Sequence, residues 1–591
     1  IIQPPDQSLE ITDPVAICIH EAFNGQAIDD GVFVPKVIDH RPSIGVALTS
    51  GNVTTADNAA IPAVIGELAW WQRGVIYQIY PRSFQDTDGD GTGDLKGIAE
   101  RLDYLVWLGI DAVWISPVYP SPMTDFGYDI SDYCNIDPLF GTLAQMDALI
   151  AQAHSRGLKL IMDYVPNHTS DQHPWFIESR STRASPKRDW YIWHDPAPDG
   201  GPPNNWLSNF GGVAWTFDEH TASYYYHSFL PTQPDLNWRN PDVRAAMFEV
   251  LRFWLARGID GFRVDVLWMM IKDDQFRNNP PDPNYVPGGS SHDTLLPLYT
   301  ADRPEMQGIV ADLRAVLDEY QDRVLIGELY LPVDRLVAYY GVDGRGAQLP
   351  FNFQLLTMPG WDAKTIAEII RNYEAALPAG GWPNWVLGNH DRARIASRVG
   401  AAQARVAALL LLTLRGTPTI YMGDELGMVN TAIPPAAIRD PAEIREPGKG
   451  LGRDPERTPF PWQPGPGAGF TTGTPWLPFG ADTPMTAQQD DPASMLNLYR
   501  KLLALRRRYS ALASGAVEAV RANDAILSYQ RRDSGSTLQI LANTSGLAGN
   551  AEVQSGQILF STHAGRAGTQ VSGAFSLYAN EGVLVLIKGP I

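Results

Sequence analysis

From residue 74 onward, short apolar runs alternate with longer amphipathic stretches. GVIYQIY (74–80) is a compact apolar run of strand type. LKGIAERLDYLVWLG (95–109) spaces its apolar residues at helical intervals and closes on Gly109, a helix followed by its terminator. The alternation continues through DAVWISPV, ALIAQAHSRG and LKLIMDYV. FEVLRFWLARG then leads to DGFRVDVLW, and MQGIVADLRAVLDEY to RVLIGELYL. WPNWVLGNHD and TPTIYMGDE are later strand-like runs. Strand, helix and strand joined by short Gly-closed links predict right-handed parallel βαβ units. About eight such units fit a (β/α)8 TIM barrel. An open doubly wound sheet is the structural rival. No G-x-G-x-x-G follows the first strand, which counts against it.

Deviations from the alternation mark domain boundaries. Residues 1–69 are Pro-rich or small-residue-rich without sustained helical periodicity. They read as an N-terminal extension of no assigned role. The barrel is expected over 70–169 and 239–511. Between NHT (167–169) and QPDLNW (233–238) lies a long stretch rich in Trp, Tyr, Asn, Pro and Gly. A structureless loop of that length is improbable, so 170–238 is expected to be a small inserted domain after the third strand. A second irregular stretch covers 272–303. After LYRKLLALRRRY, runs such as AILSYQRR, TLQILAN and GVLVLIK predict a C-terminal antiparallel β-sandwich over 512–591.

Composition narrows the function. The 591 residues carry 46 Lys+Arg against 66 Asp+Glu, a net charge of −20. That argues against a nucleic-acid backbone or an anionic membrane as the main partner. The longest apolar run, VAALLLLTL (406–414), is too short to span a bilayer. Cys18 and Cys134 are the only cysteines and match no zinc or redox spacing. Two thiols suit a reducing compartment, and a cytoplasmic location is the expectation. The first residue is Ile, so the natural N-terminus is expected to be processed or missing.

In such barrels the reacting residues sit at the C-terminal ends of strands. Three carboxylates fall there: Asp265 in GFRVDVLW, Glu328 in LIGELYL and Asp391 in GNHDRARI, with Asp163, His168, Arg263 and His390 nearby. Several carboxylates without a His cluster suit glycoside hydrolysis, in which one attacks the anomeric carbon and another protonates the leaving oxygen. Arg263 precedes Asp265 by two residues, on the same face of the strand, where a guanidinium keeps a nucleophile ionised. A single acid at a strand end could equally cap a helix or pair with an arginine. The whole set in this order does not read that way.

DYVPNH, QPDLN, GFRVDVLWM, IGELYL and LGNHD, in that order, resemble glycoside hydrolase family 13, the α-amylase family. QPDLN, DFGYD and the acidic loop DTDGDGTGD resemble its bacterial α-glucosidase and oligo-1,6-glucosidase branch. The resemblance runs from Trp70 to the C-terminus. It implies a retaining, exo-acting α-glucosidase acting on small oligosaccharides or disaccharides, with transglucosylation at high sugar. By the same resemblance Asp265 is the nucleophile, Glu328 the general acid/base and Asp391 the transition-state stabiliser, helped by His168 and His390. Arg263 orients Asp265. Asp125 and Arg457 bind the 4-hydroxyl, Tyr128 stacks on the sugar, and Phe210 is a candidate for the pocket wall. Val266, after the nucleophile, goes with acceptance of α-1,6 bonds among relatives.

DTDGDGTGD (86–94) alternates acids with glycines. Oxygens of Asp86, Asp88, Asp90 and Asp94, with the Thr92 carbonyl, suit a hard cation. The loop departs from an EF-hand, having Gly97 where a Glu is required. The resemblance implies a structural Ca2+ or Mg2+; no cofactor is expected in catalysis. Two rivals remain. A sucrose isomerase or dedicated glucosyltransferase would carry an Arg-rich RLDRD-like loop, whereas RARIASRVG follows NHD here. A non-catalytic relative would have lost its acids. Oligomeric state is left open.

Overall fold

The computed structural model describes residues 68–588; the extension expected over 1–69 lies almost entirely outside them. Eight parallel strands close a barrel: β1 (Ile76–Ile79), β2 (Ala112–Ile115), β3 (Lys159–Tyr164), β7 (Gly261–Val264), β8 (Val324–Gly327), β9 (Leu349–Asn352), β10 (Asn384–Val386) and β11 (Thr417–Tyr421). Pairing of β1 with β11, Ile76 opposite Thr419, completes the circle. The helices begin and end where the side chains dictate. Asp94 caps the first by accepting the Gly97 N–H, and Asn240 with Pro241 starts Pro241–Ala256, both favoured helix openings. Gly109 ends its helix at φ +107°, a conformation other residues adopt only with strain.

β9 is the barrel strand the apolar pattern hides. Its sequence is LPFN, and Pro350 has no N–H for a ladder, which argues against a central strand. The strand nevertheless sits between β8 and β10, with Pro350 opposite Gly327.

The insertion after β3 carries a three-stranded antiparallel sheet in the order β4 (Trp193–His194), β6 (Ser223–Tyr226), β5 (Trp215–Asp218). Trp206, Ala214, Trp215 and Tyr226 form its own small core. Its return strand is fastened by Asp235 of QPDLN. This carboxylate accepts from Asn167 Nδ2 at 2.9 Å, from the Ser228 N–H at 2.6 Å and from buried Lys272.

The C-terminal β domain is one six-stranded antiparallel sheet of β12 (Ala516–Ala522), β13 (Ile526–Arg532), β14 (Thr537–Asn543), β15 (Gly549–Ser561), β16 (Gln570–Leu577) and β17 (Gly582–Ile587), in the order β12-β13-β14-β17-β15-β16. Alternate residues face opposite ways. Leu538, Ile540 and Leu584 join the main core, while Leu541, Val583 and Val585 enclose a second cluster with Phe575 and Leu577. The helix Ile395–Thr413 is long and apolar enough to cross a membrane by composition. Most of it is buried instead, its leucines in the main core. Of the two cysteines, Cys18 lies outside the described residues.

Candidate active site

The acidic residues converge at the C-terminal mouth of the barrel because the strands place them there. Arg263 on β7 lies opposite Asp163 on β3 in the parallel register. Asp265 and Glu328 each come one residue after a strand, β7 and β8 respectively. The fully buried Arg263 binds three carboxylates. Its Nη1 reaches Asp163 Oδ1 at 2.8 Å and Asp265 Oδ1 at 2.6 Å, and its Nη2 reaches Glu328 Oε2 at 2.7 Å. Glu328 Oε2 also accepts the Val266 N–H at 2.9 Å. Val266 has φ +38°, an outlier for a β-branched residue that persists only where surrounding bonds enforce it.

A hydrogen-bonded chain links this cluster to the far side of the barrel. Asp163 Oδ2 accepts from Trp114 Nε1 at 3.2 Å and from the Tyr128 hydroxyl at 3.1 Å. That hydroxyl lies 2.6 Å from His390 Nε2, and His390 Nδ1 lies 2.8 Å from Gln78 Nε2 on β1. The Tyr128 and His390 rings are parallel, with centroids 5.3 Å apart. His168 sits against the Tyr128 carbonyl, 3.1 Å from its Nε2.

Asp391 is held from the opposite side. Its Oδ1 meets Arg457 Nη2 at 2.9 Å and Arg453 Nη1 at 3.2 Å. Arg453 Nη2 continues to Asp125 Oδ1 at 2.8 Å, and its Nε to Asp440 at 2.6 Å. The guanidinium lies over Phe210, 4.8 Å from the ring centroid. The arginine beside Asp125 is therefore Arg453, not Arg457, which turns inward to the His390 carbonyl and Asp391. Both arginines belong to LGRDPERTPF, four residues apart. The string identified the loop without saying which guanidinium reaches the cavity.

The cavity holds about 470 Å3. Asp125, Tyr128, His168, Phe210, Asp265, Val266, Glu328, His390, Asp391 and Arg453 line it, while Arg263 and Arg457 support the wall from behind. Sequence reasoning missed Arg453, Trp268, Tyr330 and the segment containing Ser290, His292 and Asp293. The last lies in the irregular stretch 272–303, where no periodicity gave a signal.

Burial governs the ionisation. It pushes Asp265 well above the usual carboxylate range, with Arg263 opposing and Glu328 adding to the rise. Burial raises Glu328 in the same way, against Arg263. Three carboxylates around one guanidinium cannot all ionise cheaply. Asp391 behaves oppositely. Burial would raise it, but His390, Arg453, Arg457 and Arg263 together hold it far below its ordinary value. Burial also drives His390 well below 6.5. It is neutral at pH 7, so the arginines are the charges that matter for Asp391.

In the acidic loop, carboxylate oxygens of Asp86, Asp88 and Asp94 lie within 4.8 Å of one another. Asp86 also accepts the N–H groups of Gly89 and Gly91 at 2.8 and 2.9 Å. Asp94 accepts those of Gly97 and Thr87 at 2.8 and 2.7 Å. Asp90 stands outside this triad of carboxylates, and its Oδ1 accepts the Thr92 N–H at 2.6 Å. An all-oxygen set of this kind fits a hard divalent cation.

Known proteins similar to this chain are numerous. The family model of the α-amylase catalytic domain matches residues 78–515. A probable α-glucosidase of Rhizobium meliloti is 42% identical over 501 residues, covering 82% of this chain and 91% of the relative. An oligo-1,6-glucosidase of Heyndrickxia coagulans is 40% identical, covering 80% and 92%. Among solved structures, the α-glucosyl transfer enzyme XgtA is 39% identical with a TM-score of 0.84, covering 88% of this chain and all of that one. The trehalulose synthase MutB is 33% identical with a TM-score of 0.82 over the same shares. Family model, relatives and barrel-mouth carboxylates agree: the chain belongs to the α-amylase family of glycoside hydrolases, in its α-glucosidase and oligo-1,6-glucosidase branch.

Proposed function

We propose that the protein is a retaining, exo-acting α-glucosidase that removes single glucose units from the non-reducing ends of short oligosaccharides and disaccharides. The observation that carries the reading is the single Arg263 guanidinium shared by Asp265 and Glu328. One guanidinium binding both acids keeps them close, which favours the retaining separation of about 5–5.5 Å over the wider inverting one. Asp265 attacks the anomeric carbon as the glycosidic C–O bond breaks, and Glu328 passes its proton to the departing oxygen. Water then adds to the glucosyl-enzyme, Glu328 takes a proton from it, and Asp265 is released. Asp391, held ionised by Arg453 and Arg457, faces the positive charge that develops on the sugar. The Asp125–Arg453 pair walls off the cavity beyond one glucose, which supports exo action.

Proton NMR of the first glucose released from maltose and isomaltose tests the reading. Early α-glucose is expected, and early β-glucose would overturn the assignment of Asp265. The likeness to XgtA favours glucosyl transfer as a second outcome, visible as new oligosaccharides at high sugar. A structural cation held by Asp86, Asp88 and Asp94 belongs to the same proposal; it would fasten the loop and take no part in the chemistry.

A further inference from the structure

Three segments distant in sequence meet over the mouth of the cavity. The first is the insertion turn 209–212, the second is 290–293, and the third is the helix Pro441–Arg445 with Glu446 after it. Glu446 joins them. Its carboxylate accepts from Ser290 Oγ at 3.1 Å and from the Ser291 N–H at 3.2 Å, and it pairs with Lys449 Nζ at 2.9 Å. The preceding Arg445 donates to the carbonyls of Phe210 and Gly211 at 3.1 and 2.7 Å. The Gly212 N–H closes the triangle on Ser291 Oγ at 3.3 Å. Gly211 has φ +86°, and a Cβ there would meet Glu446 Cγ at 2.5 Å, so the turn and the carboxylate are fitted to each other.

These segments deliver cavity-lining residues: Asn209 and Phe210 from the first, Ser290, His292 and Asp293 from the second, Ala442 from the third. None of them bonds to Asp265, Glu328 or Asp391. The acids of the inner glucose site are placed by the strand ends and held by Arg453, which in turn lies over Phe210 and bonds Asp440.

We infer that Glu446 is a positioning residue for the aglycone side of the site: by clasping the three segments it forms the wall against which the second sugar ring of a disaccharide rests. This rests on the α-glucosidase reading. The clasp meets the inner site only through Phe210 beneath Arg453 and through Asp440, so its loss weakens disaccharide binding more than binding of a lone glucose. Glu446 is 9% exposed, and hydrogen bonds to a carboxylate are among the stronger kind.

The test uses the full chain and the variants Glu446→Ala, Glu446→Gln and Ser290→Ala. KM and kcat are measured on maltose and isomaltose, with glucose as a competitive inhibitor. Glu446→Ala is expected to raise KM for both disaccharides about fivefold or more, equivalent to roughly 1 kcal/mol. The expected kcat and glucose inhibition constant stay within about twofold, and Glu446→Gln recovers part of the loss. Ser290→Ala, which removes one hydroxyl, gives a smaller rise and covers the case in which Glu446→Ala does not fold. An unchanged disaccharide KM in the variants overturns the inference, as does a glucose inhibition constant that rises in parallel with KM. A wild-type protein without α-glucosidase activity would instead overturn the reading beneath it.

Discussion

Arg263→Met gives the sharpest test of how the site is charged. The guanidinium is buried and lies 2.6–2.8 Å from three carboxylates. With charge centres about 4 Å apart and an effective dielectric near 20, each pairing contributes about 4 kcal/mol to ionisation. Loss of the cation therefore shifts the proton equilibrium of Asp265 by roughly a thousandfold, and the nucleophile stays protonated at neutral pH. The expected kcat on maltose falls about a thousandfold, with the pH–rate profile displaced to higher pH. Stability falls too, because breaking a buried pair costs about 3–5 kcal/mol. Its pH dependence has a definite sign. A carboxyl whose folded pKa is raised stabilises below its unfolded value, and that stability is lost as pH rises through the folded value. The variant should therefore lose more melting temperature relative to wild type at pH 8 than at pH 5. Arg263→Lys keeps a charge and should fall between. A methionine variant with kcat within tenfold of wild type and an unshifted profile would refute the electrostatic argument.

The remaining predictions concern the acid, the cation and the pH range of stability. Glu328→Gln should lower turnover of maltose by about 10²–10⁴-fold, and much less for aryl glucosides whose leaving groups need no proton; equal losses on both would remove Glu328 from the acid role. Chelation, or Asp88→Ala, should lower the melting temperature, with added Ca2+ or Mg2+ restoring it and kcat per folded molecule unchanged. Chelator-independent melting would leave the loop without a cation. Buried His168, His173 and His227 are held down to about 4, 3 and 4. Each supplies roughly 3–5 kcal/mol that is present above pH 6.5 and lost as pH falls through the folded values. Asp125, Asp424 and Glu456, raised to about 6, 7 and 8, lose their contribution as pH rises through those values. Melting temperature should peak near pH 6, and a flat profile from pH 4 to 8 would contradict these shifts.

Seven of the eight barrel strands are legible as apolar runs, because buried parallel strands need continuous apolar sequence. The eighth, LPFN, is hidden by Pro350. The three carboxylates were found because a barrel fixes where reacting side chains sit, so position alone singles them out. Arg453 was not found because two guanidiniums four residues apart are equivalent on paper and only folding aims one of them. Ser290, His292 and Asp293 lie in irregular chain, whose conformation is set by tertiary partners such as Glu446 rather than by local periodicity. In the acidic loop the alternation of acids was plain. That Asp86, Asp88 and Asp94 converge while Asp90 stands apart depends on backbone turns that spacing does not encode.

The pairing of Asp163 with Arg263 across β3 and β7 also bears on how the chain acquires activity. The guanidinium meets its three partners only when β3, β7 and β8 lie side by side in register, and a slip of one residue would turn Arg263 away from the barrel interior. Until then the charges remain hydrated, because burying any of them alone is prohibitive. Dehydration of the cluster is thus tied to closure of the barrel, late in folding. In a refolding experiment, recovery of turnover should trail recovery of helical circular dichroism, and catalysis itself becomes a reporter of barrel closure.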